Sequence, residues 1–404
     1  MYRLEALLVH PGTQHSFRLA SQLHAHGCLR RFWTGLAYVP DRLLDRFLRV
    51  LPRNFYARTA NRRLTGVPHD KLKTSPSLEL RALCRLRMGL DGQEVLFNRN
   101  ASFQRGVPQE ELVGSDIVIG FDTSSHLLVE RAAGLGRCFV LDRSTAHPSS
   151  YQRLFPLLVR QFPEWGFDLA PHHPQLAAAV DFEHLRANRI VVASSYSLRT
   201  LLENGVPEEK IAIIPYGVDL EKFLPSPSHQ PSRPLRFLFL GSIGIRKGVP
   251  LLLEAWRSLD VGDSELWLAG PISSRHKRLI PRLRGLRLLG KVPNPSLPGL
   301  FRHCDVLVFP SFSEGFGLVL LEAMASGLPV ISTDATAAPD IITNGVEGYV
   351  VPAGDLEALR IALRRFIDSP GDARAMSAAA RRRAERYTWD AYGDRWYRLL
   401  HQVV

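Results

Sequence analysis

Residues 305–330 constrain this chain more than any other stretch. Asp305-Val-Leu-Val-Phe-Pro310 has the apolar composition of a short buried strand. In the next segment, Ser311-Phe-Ser-Glu-Gly-Phe-Gly317, Gly315 and Gly317 let the backbone turn closely. Leu318–Ala325 are good helix formers, and Gly327 with Pro329 stops the helix before a further strand at Val330–Ser332. Strand, glycine turn, helix and strand in so few residues point to a parallel sheet. The helix N-terminus offers unpaired N–H groups and a positive dipole end, which suits a phosphate. Glu314 lies just before that helix and Glu322 lies further along it. At a rise of ~1.5 Å per residue they stand on the order of 12 Å apart. One carboxylate on each side of a diphosphate is the outline of a nucleotide-sugar site. An isolated Glu-x7-Glu also fits a solvated helix residue beside an ordinary turn. The surrounding strand, double-glycine turn and small-residue helix favour binding.

The alternation extends along the chain. Leu4–Val9 reads as a strand, and Ser16–His26 as a helix ended by Gly27. Asp116–Phe121, Cys138–Leu141, Arg189–Ala193 and Lys210–Ile214 read as strands, with helices at Ser124–Ala133 and Tyr196–Asn204. The Pro- and Ser-rich run Ser226–Pro234 reads as a linker. The pattern then restarts with strands at Leu235–Leu240, Glu265–Ala269, Leu286–Leu289 and Val306–Phe309, and a helix at Val249–Leu259. A chain of 404 residues exceeds what one core usually organises. The expectation is an α/β fold of two Rossmann-like, doubly wound domains, residues 1–215 and 216–385, with a cleft between them. Ligands in such sheets sit beyond the carboxyl ends of the strands.

Composition narrows the partners. No apolar run approaches the ~18 residues of a membrane-spanning helix. The first apolar run is broken by Pro11-Gly12, too early for a secretory signal. Cys28, Cys84, Cys138 and Cys304 are scattered without metal spacing and read as reduced thiols of a cytoplasmic protein. The net charge of +12 is uneven: residues 29–105 hold 16 Lys or Arg against 6 Asp or Glu, a balance of +10. A basic face suits an anionic membrane, an acidic glycan or nucleic acid, and an Arg-rich genome would give the same bias. No nucleic-acid motif accompanies the charge. In Asp41–Leu51, Leu43, Leu44, Phe47, Leu48 and Leu51 share one face while Arg42, Arg46 and Arg49 turn away. That helix fits an anionic surface at the inner face of the plasma membrane, or plain packing on the first sheet.

The second half opens with Phe237-Leu-Phe-Leu-Gly-Ser-Ile-Gly-Ile-Arg-Lys-Gly248. The spacing is neither the dinucleotide nor the Walker pattern. Gly241, Ser242 and Gly244 still allow close backbone approach, and Arg246 and Lys247 supply two cations for a diphosphate. By itself such a pair also fits a solvated basic patch.

Glu314-x7-Glu322 with its Ala-Met-Ala-Ser-Gly-Leu-Pro-Val-Ile tail resembles the signature of the retaining glycosyltransferases of family four, which have the GT-B fold. The resemblance runs from Val113 onward and is weak between Trp33 and Glu111. It implies that Arg246, Lys247 and Glu314 are catalytic, and that Gly241, Ser242, Gly315, Phe316, Gly317, Leu318 and Glu322 bind donor. Val292, in Leu289-Gly-Lys-Val-Pro293, would face the nucleobase. The first cation departs from the family pattern: Gly241-Ser242 replaces the usual Gly-Arg, and Arg246 takes the arginine's role. The family's Gly-Gly-x-x-Glu after the following strand is absent from Thr333–Asp340. His147, in the loop Asp142–Pro148, would lie near the transferred sugar, or is a plain surface histidine. Gly12, Gln14 and His15 would shape the acceptor side, unless that loop only carries a helix cap at Thr13 or Ser16. A last helix, residues 386–404, would cross back to the first domain.

The implied reaction moves a sugar, with retention, from a nucleoside diphosphate sugar (UDP- or GDP-linked) to a glycan or lipid-linked acceptor. No cofactor and no metal are expected, since no Asp-x-Asp motif stands out. A nucleotide-sugar epimerase and a non-catalytic nucleotide-sugar or glycan binder share these parts.

Overall fold

The computed structural model describes residues 4–13, 15–39, 62–171, 173–226 and 234–404. The amphipathic segment Asp41–Leu51, Gln14 and most of the expected linker lie outside the described residues.

Seven strands form the first sheet: β1 Ala6–His10, β2 Leu29–Thr34, β3 Leu72–Thr74, β4 Ile117–Phe121, β5 Cys138–Arg143, β6 Arg189–Val192 and β7 Ile211–Ile213. Their order is β3-β2-β1-β4-β5-β6-β7, all pairs parallel. The second sheet holds β8 Arg236–Leu240, β9 Glu265–Ala269, β10 Leu286–Gly290, β11 Val306–Phe309, β12 Val330–Thr333 and β13 Gly348–Val351. Its order is β10-β9-β8-β11-β12-β13, again parallel. Strands with helices on both faces are buried on both faces, so β1, β4 and β11 are buried throughout and, His10 apart, carry no polar residue to alternate with the apolar ones. This is the doubly wound α/β pair expected from the repeating pattern. The strands β2, β3 and β13, absent from the sequence reading, extend the sheets at or near their edges.

Each sheet reverses its winding direction once, between β1 and β4 in the first and between β8 and β11 in the second. At such a switch point the loops leaving two neighbouring strands diverge and open a crevice at the carboxyl edge. The loop after β8 carries Arg246 and Lys247, and the loop after β11 carries Glu314. Chain topology thus brings together residues almost 70 positions apart.

The last helix, Trp389–Val403, crosses back to the first domain. Gln22 of the helix Ser16–Ala25 donates to Asp390 at 3.0 Å, and His26 faces Asp394 at 3.3 Å. Tyr392 and Trp396 have no exposed surface, so truncating either costs about 3–5 kcal/mol. The chain passes between the domains where Val218 bridges Thr388.

Candidate functional site

The site is built from the two switch-point loops of the second sheet. Gly248 ends the first loop at φ +70, and a Cβ there would lie 1.8 Å from the carbonyl oxygen of Pro310 in the second. Only glycine lets the loops approach so closely. The Phe312 N–H donates to the Arg246 carbonyl at 2.9 Å, and the Ser311 hydroxyl to the same carbonyl at 3.1 Å. With the backbones tied, three charges converge. Arg246 Nη1 donates to Glu314 Oε2 at 2.9 Å and to the Ser313 carbonyl at 2.8 Å. Lys247 Nζ donates to the same Glu314 oxygen and stands 4.8 Å from the Phe309 ring centroid.

Burial works against charge at both Glu314 and Lys247. It pushes the Glu314 carboxyl up, but the adjacent Lys247 and Arg246 outweigh it, by charge and by hydrogen bonds, and hold the group below its usual range. Burial, with Arg246 beside it, pulls the Lys247 ammonium below its usual value despite the attraction of Glu314. Two cations and one carboxylate leave this point of the cleft net positive. The N–H groups of Phe316 and Gly317, which precede the helix Leu318–Ala325, donate to no group among the described residues. Oriented donors at a positive helix end beside two cations form an anion site.

The first domain closes directly over this loop. Ser194 and Ser197 hydroxyls both donate to the Gly315 carbonyl, at 2.5 and 3.0 Å, and the Tyr196 hydroxyl donates to Ser313 at 3.1 Å. A Cβ on Gly315 would lie 2.2 Å from the Ser144 carbonyl oxygen. On the other loop, Asp168 of the first domain accepts from the Ile245 N–H at 3.1 Å and faces His276 at 3.3 Å. Ser194 falls in Ala187–Ser195, a run that resembles the family's domain-joining region, whereas Tyr196, Ser197 and Asp168 carry no such signal. Their pairing depends on how two separately folded domains meet.

Glu322 sits elsewhere. The helix starts only at Leu318, so Glu322 is one turn in rather than two turns from Glu314, and the straight-helix spacing of on the order of 12 Å does not apply. It lines a cavity of about 100 Å³ with Leu318, Arg18, Gly217, Lys222 and Trp389. Burial pushes its carboxyl up to about 7, against the pull of Lys222. Gly241 and Ser242 lie directly after β8, with the Gly241 N–H donating to the Ala269 carbonyl. Val292 follows the edge strand β10, two strands from β8, and packs half-buried against the core.

On the first-domain side, His15 is buried and its Nε2 lies 2.7 Å from Asp142 Oδ2 at the end of β5. The His15 ring lies 4.3 Å from Tyr216, and Tyr216 lies 5.1 Å from Phe316, so aromatic contact connects this loop to the anion site. Burial raises the Asp142 carboxyl, and His15 opposes the shift. The helix cap expected at Thr13 or Ser16 is not formed. His15 is the N-cap and its side chain caps nothing, being engaged with Asp142. Gly12 packs against the His10 ring.

His147 is not brought to the charged cluster. Its Nδ1 accepts from the Ser149 N–H, its ring lies 5.2 Å from that of His184, and its Nε2 faces Asp181 at 3.7 Å. Burial lowers it to about 4, with Arg143 and Arg153 adding to the shift. His147, Asp181 and His184 have ligand atoms within 4.8 Å of one another, a grouping capable of holding a metal ion. It lines a cavity with Asn204 and Lys210 of the first domain, apart from Lys247 and Glu314.

Comparison with known proteins places the second domain. Residues 234–369, which span both switch-point loops, match the family model described as glycosyl transferases group 1. The second domain belongs to the group 1 glycosyltransferases. The chain is 31% identical over 179 residues to a putative colanic acid biosynthesis glycosyltransferase of Escherichia coli, covering 41% of this chain and 44% of that one. It is 28% identical over 243 residues to an amylovoran biosynthesis glycosyltransferase of Erwinia amylovora, covering 54% and 58%. The chain thus spans about half the length of the curated relatives it matches. Solved structures match nearly end to end. Sucrose-phosphate synthase of Thermosynechococcus elongatus superimposes with a TM-score of 0.64 at 18% identity over 99% of each chain. Anabaena Alr3699/HepE, solved with UDP, gives 0.63 at 15% identity over 99% of this chain and 100% of that one. At these identities the likeness shows the fold alone, and that fold is GT-B.

Proposed function

We propose that this protein is a retaining glycosyltransferase that moves a sugar from a nucleoside diphosphate sugar to a glycan or lipid-linked acceptor in cell-surface polysaccharide or glycolipid synthesis. One observation carries the reading: Arg246 and Lys247 converge on Glu314 beside the free N–H groups of Phe316 and Gly317. The slow step of such a transfer builds negative charge on the departing diphosphate. Fixed cations and oriented N–H groups stabilise that charge without reorganising. Glu314 accepts from both cations. A diphosphate entering beside Phe316 takes over that role and releases the carboxylate to hold sugar hydroxyls. Glu322, one turn into the helix, takes the ribose. The donor domain runs over residues 216–385, and Gly12 and His15 border the acceptor. His147 has no part in this reading, because its contacts run to the helix Pro174–Arg186.

The relatives' roles in colanic acid and amylovoran biosynthesis support the substrate class. UDP in the Anabaena protein supports a nucleotide donor. Retention is the expected outcome because Glu314-x7-Glu322 resembles the motif of a retaining family. Metal independence follows from Arg246 and Lys247 supplying the charge that a cation otherwise would.

A panel of UDP- and GDP-linked sugars, assayed for slow nucleotide release with and without chelator, tests the reading. Release from one donor, unaffected by chelator and with the first-formed sugar in the donor's anomeric configuration, supports it. Conversion of the free donor to an isomeric nucleotide-sugar without release points to an epimerase, and binding without turnover to a non-catalytic receptor.

A further inference from the structure

Two helices of the first domain, Pro76–Arg87 and Gly92–Arg105, form a hairpin whose tip faces solvent with apolar side chains. Every residue from Leu83 to Asp91 is exposed. Met88 is 76% exposed and Leu80 61%, and Leu83, Leu86, Leu90 and Leu96 are exposed beside them. Single exposed apolar residues need no explanation, but a contiguous group marks an interaction site. The charge at the tip is mainly basic, with Asp91 and Glu94 just beyond Leu90. Arg81, Arg85 and Arg87 lie between Leu80 and Leu90, with no acidic residue among them. Leu and Met side chains flanked by arginines match a bilayer interface, where the apolar groups enter the acyl boundary and the guanidinium groups meet anionic headgroups.

The hairpin's place in the fold is consistent with such a role. The Ser75 N–H, just ahead of the first helix, donates to the carbonyls of Thr34 and Gly35 at the carboxyl end of β2. Asn100 of the second helix donates to the Thr123 carbonyl, just beyond the carboxyl end of β4. Gln93, near the tip, donates to the Pro171 carbonyl and accepts from the His173 N–H. All three anchors lie on the carboxyl edge of the first sheet, the edge that lines the cleft. Among the described residues no helix is long and apolar enough to cross a membrane, so contact of this kind stays at the surface.

We propose that the hairpin tip, Leu80–Leu90, docks the protein onto an anionic lipid bilayer, with the cleft mouth toward that surface. The surface is distinct from the segment Asp41–Leu51 and does not depend on the transferase reading. The test is co-sedimentation of the full chain with vesicles of phosphatidylcholine mixed with phosphatidylglycerol, against vesicles of phosphatidylcholine alone, at low and moderate salt. The protein should sediment with the anionic vesicles, less so as salt rises. The triple variant Arg81→Gln, Arg85→Gln, Arg87→Gln should partition on the order of 100-fold more weakly at low salt. Met88→Asp should also weaken binding, and thermal melts should show that these exposed substitutions leave the fold intact. Failure to bind either vesicle overturns the proposal, as does undiminished binding by both variants. Self-association of the free protein that these substitutions abolish also overturns it, because the occupant is then a second copy of the chain. Nucleotide release from a soluble donor is read separately, so either idea can fail alone.

Discussion

Replacing Glu322 with Gln should make the protein more stable and less active, and the stability gain should depend on pH in a defined way. The Glu322 carboxyl is pushed from an ordinary 4.5 up to about 7 by burial in its small cavity. Below pH 4.5 it is protonated in both folded and unfolded chains, and Gln is nearly isosteric with it, so the two proteins should differ little. Between 4.5 and 7 the folded chain binds the proton more tightly than the unfolded one, so wild-type stability falls as pH rises. Above 7 the folded protein holds a buried charge that Gln lacks. A shift from 4.5 to about 7, at ~1.4 kcal/mol per pKa unit, sets the full advantage of the variant at about 3 kcal/mol. In a melt that amounts to several degrees, on the order of 5 °C. Paired thermal or urea unfolding at pH 4.5, 6 and 8 measures it. A constant difference between the two proteins across that range would refute the burial argument. A loss of donor affinity in the same variant assigns Glu322 to the donor; unchanged affinity makes it a purely structural acid.

Three further outcomes follow from the geometry. Lys247→Ala should lower nucleotide release by roughly 10²–10³-fold, the usual effect of removing one donor to developing charge, with an unchanged melt. Gly315→Ala puts a methyl group 2.2 Å from the Ser144 carbonyl, so it should cost about 1–3 kcal/mol and weaken the domain contact, read as a lower melting temperature together with lower activity. His147→Ala should leave nucleotide release within a few-fold of wild type, because His147 points to His184 and Asp181; a loss as large as that of Lys247→Ala would place it at the reacting bond.

The sequence disclosed the repeating α/β units because buried parallel strands leave unbroken apolar runs, and Val306–Phe309 and Ile117–Phe121 are such runs. The loops after β8 and β11 were legible for the same reason, since glycine and charge stand out directly after a strand. Their meeting at the switch point is a property of strand order, which local pattern does not encode. β3 and β13 went unread because edge strands such as Leu72–Thr74 and Gly348–Val351 are short and partly exposed. Ala187–Ser195 resembles a domain-joining run, but the individual bonds from Ser194 and Ser197 to Gly315, and from Asp168 to Ile245, went unread because ordinary serines and a loop aspartate gain meaning only when the domains meet. His147 does not join the charged cluster. The loop does approach the donor side, but Ser144 and Thr145 make the contact with Gly315 while His147 turns inward.

The central claim is that the loops after β8 and β11 hold a pyrophosphate. Calorimetric titration of the protein with UDP and GDP, beside the Arg246→Ala and Lys247→Ala variants, tests it most directly. The account predicts that one nucleotide binds, and that each variant binds it at least about tenfold more weakly, since a charge-assisted hydrogen bond contributes about 1.5–3 kcal/mol. Equal affinity in wild type and both variants would contradict it.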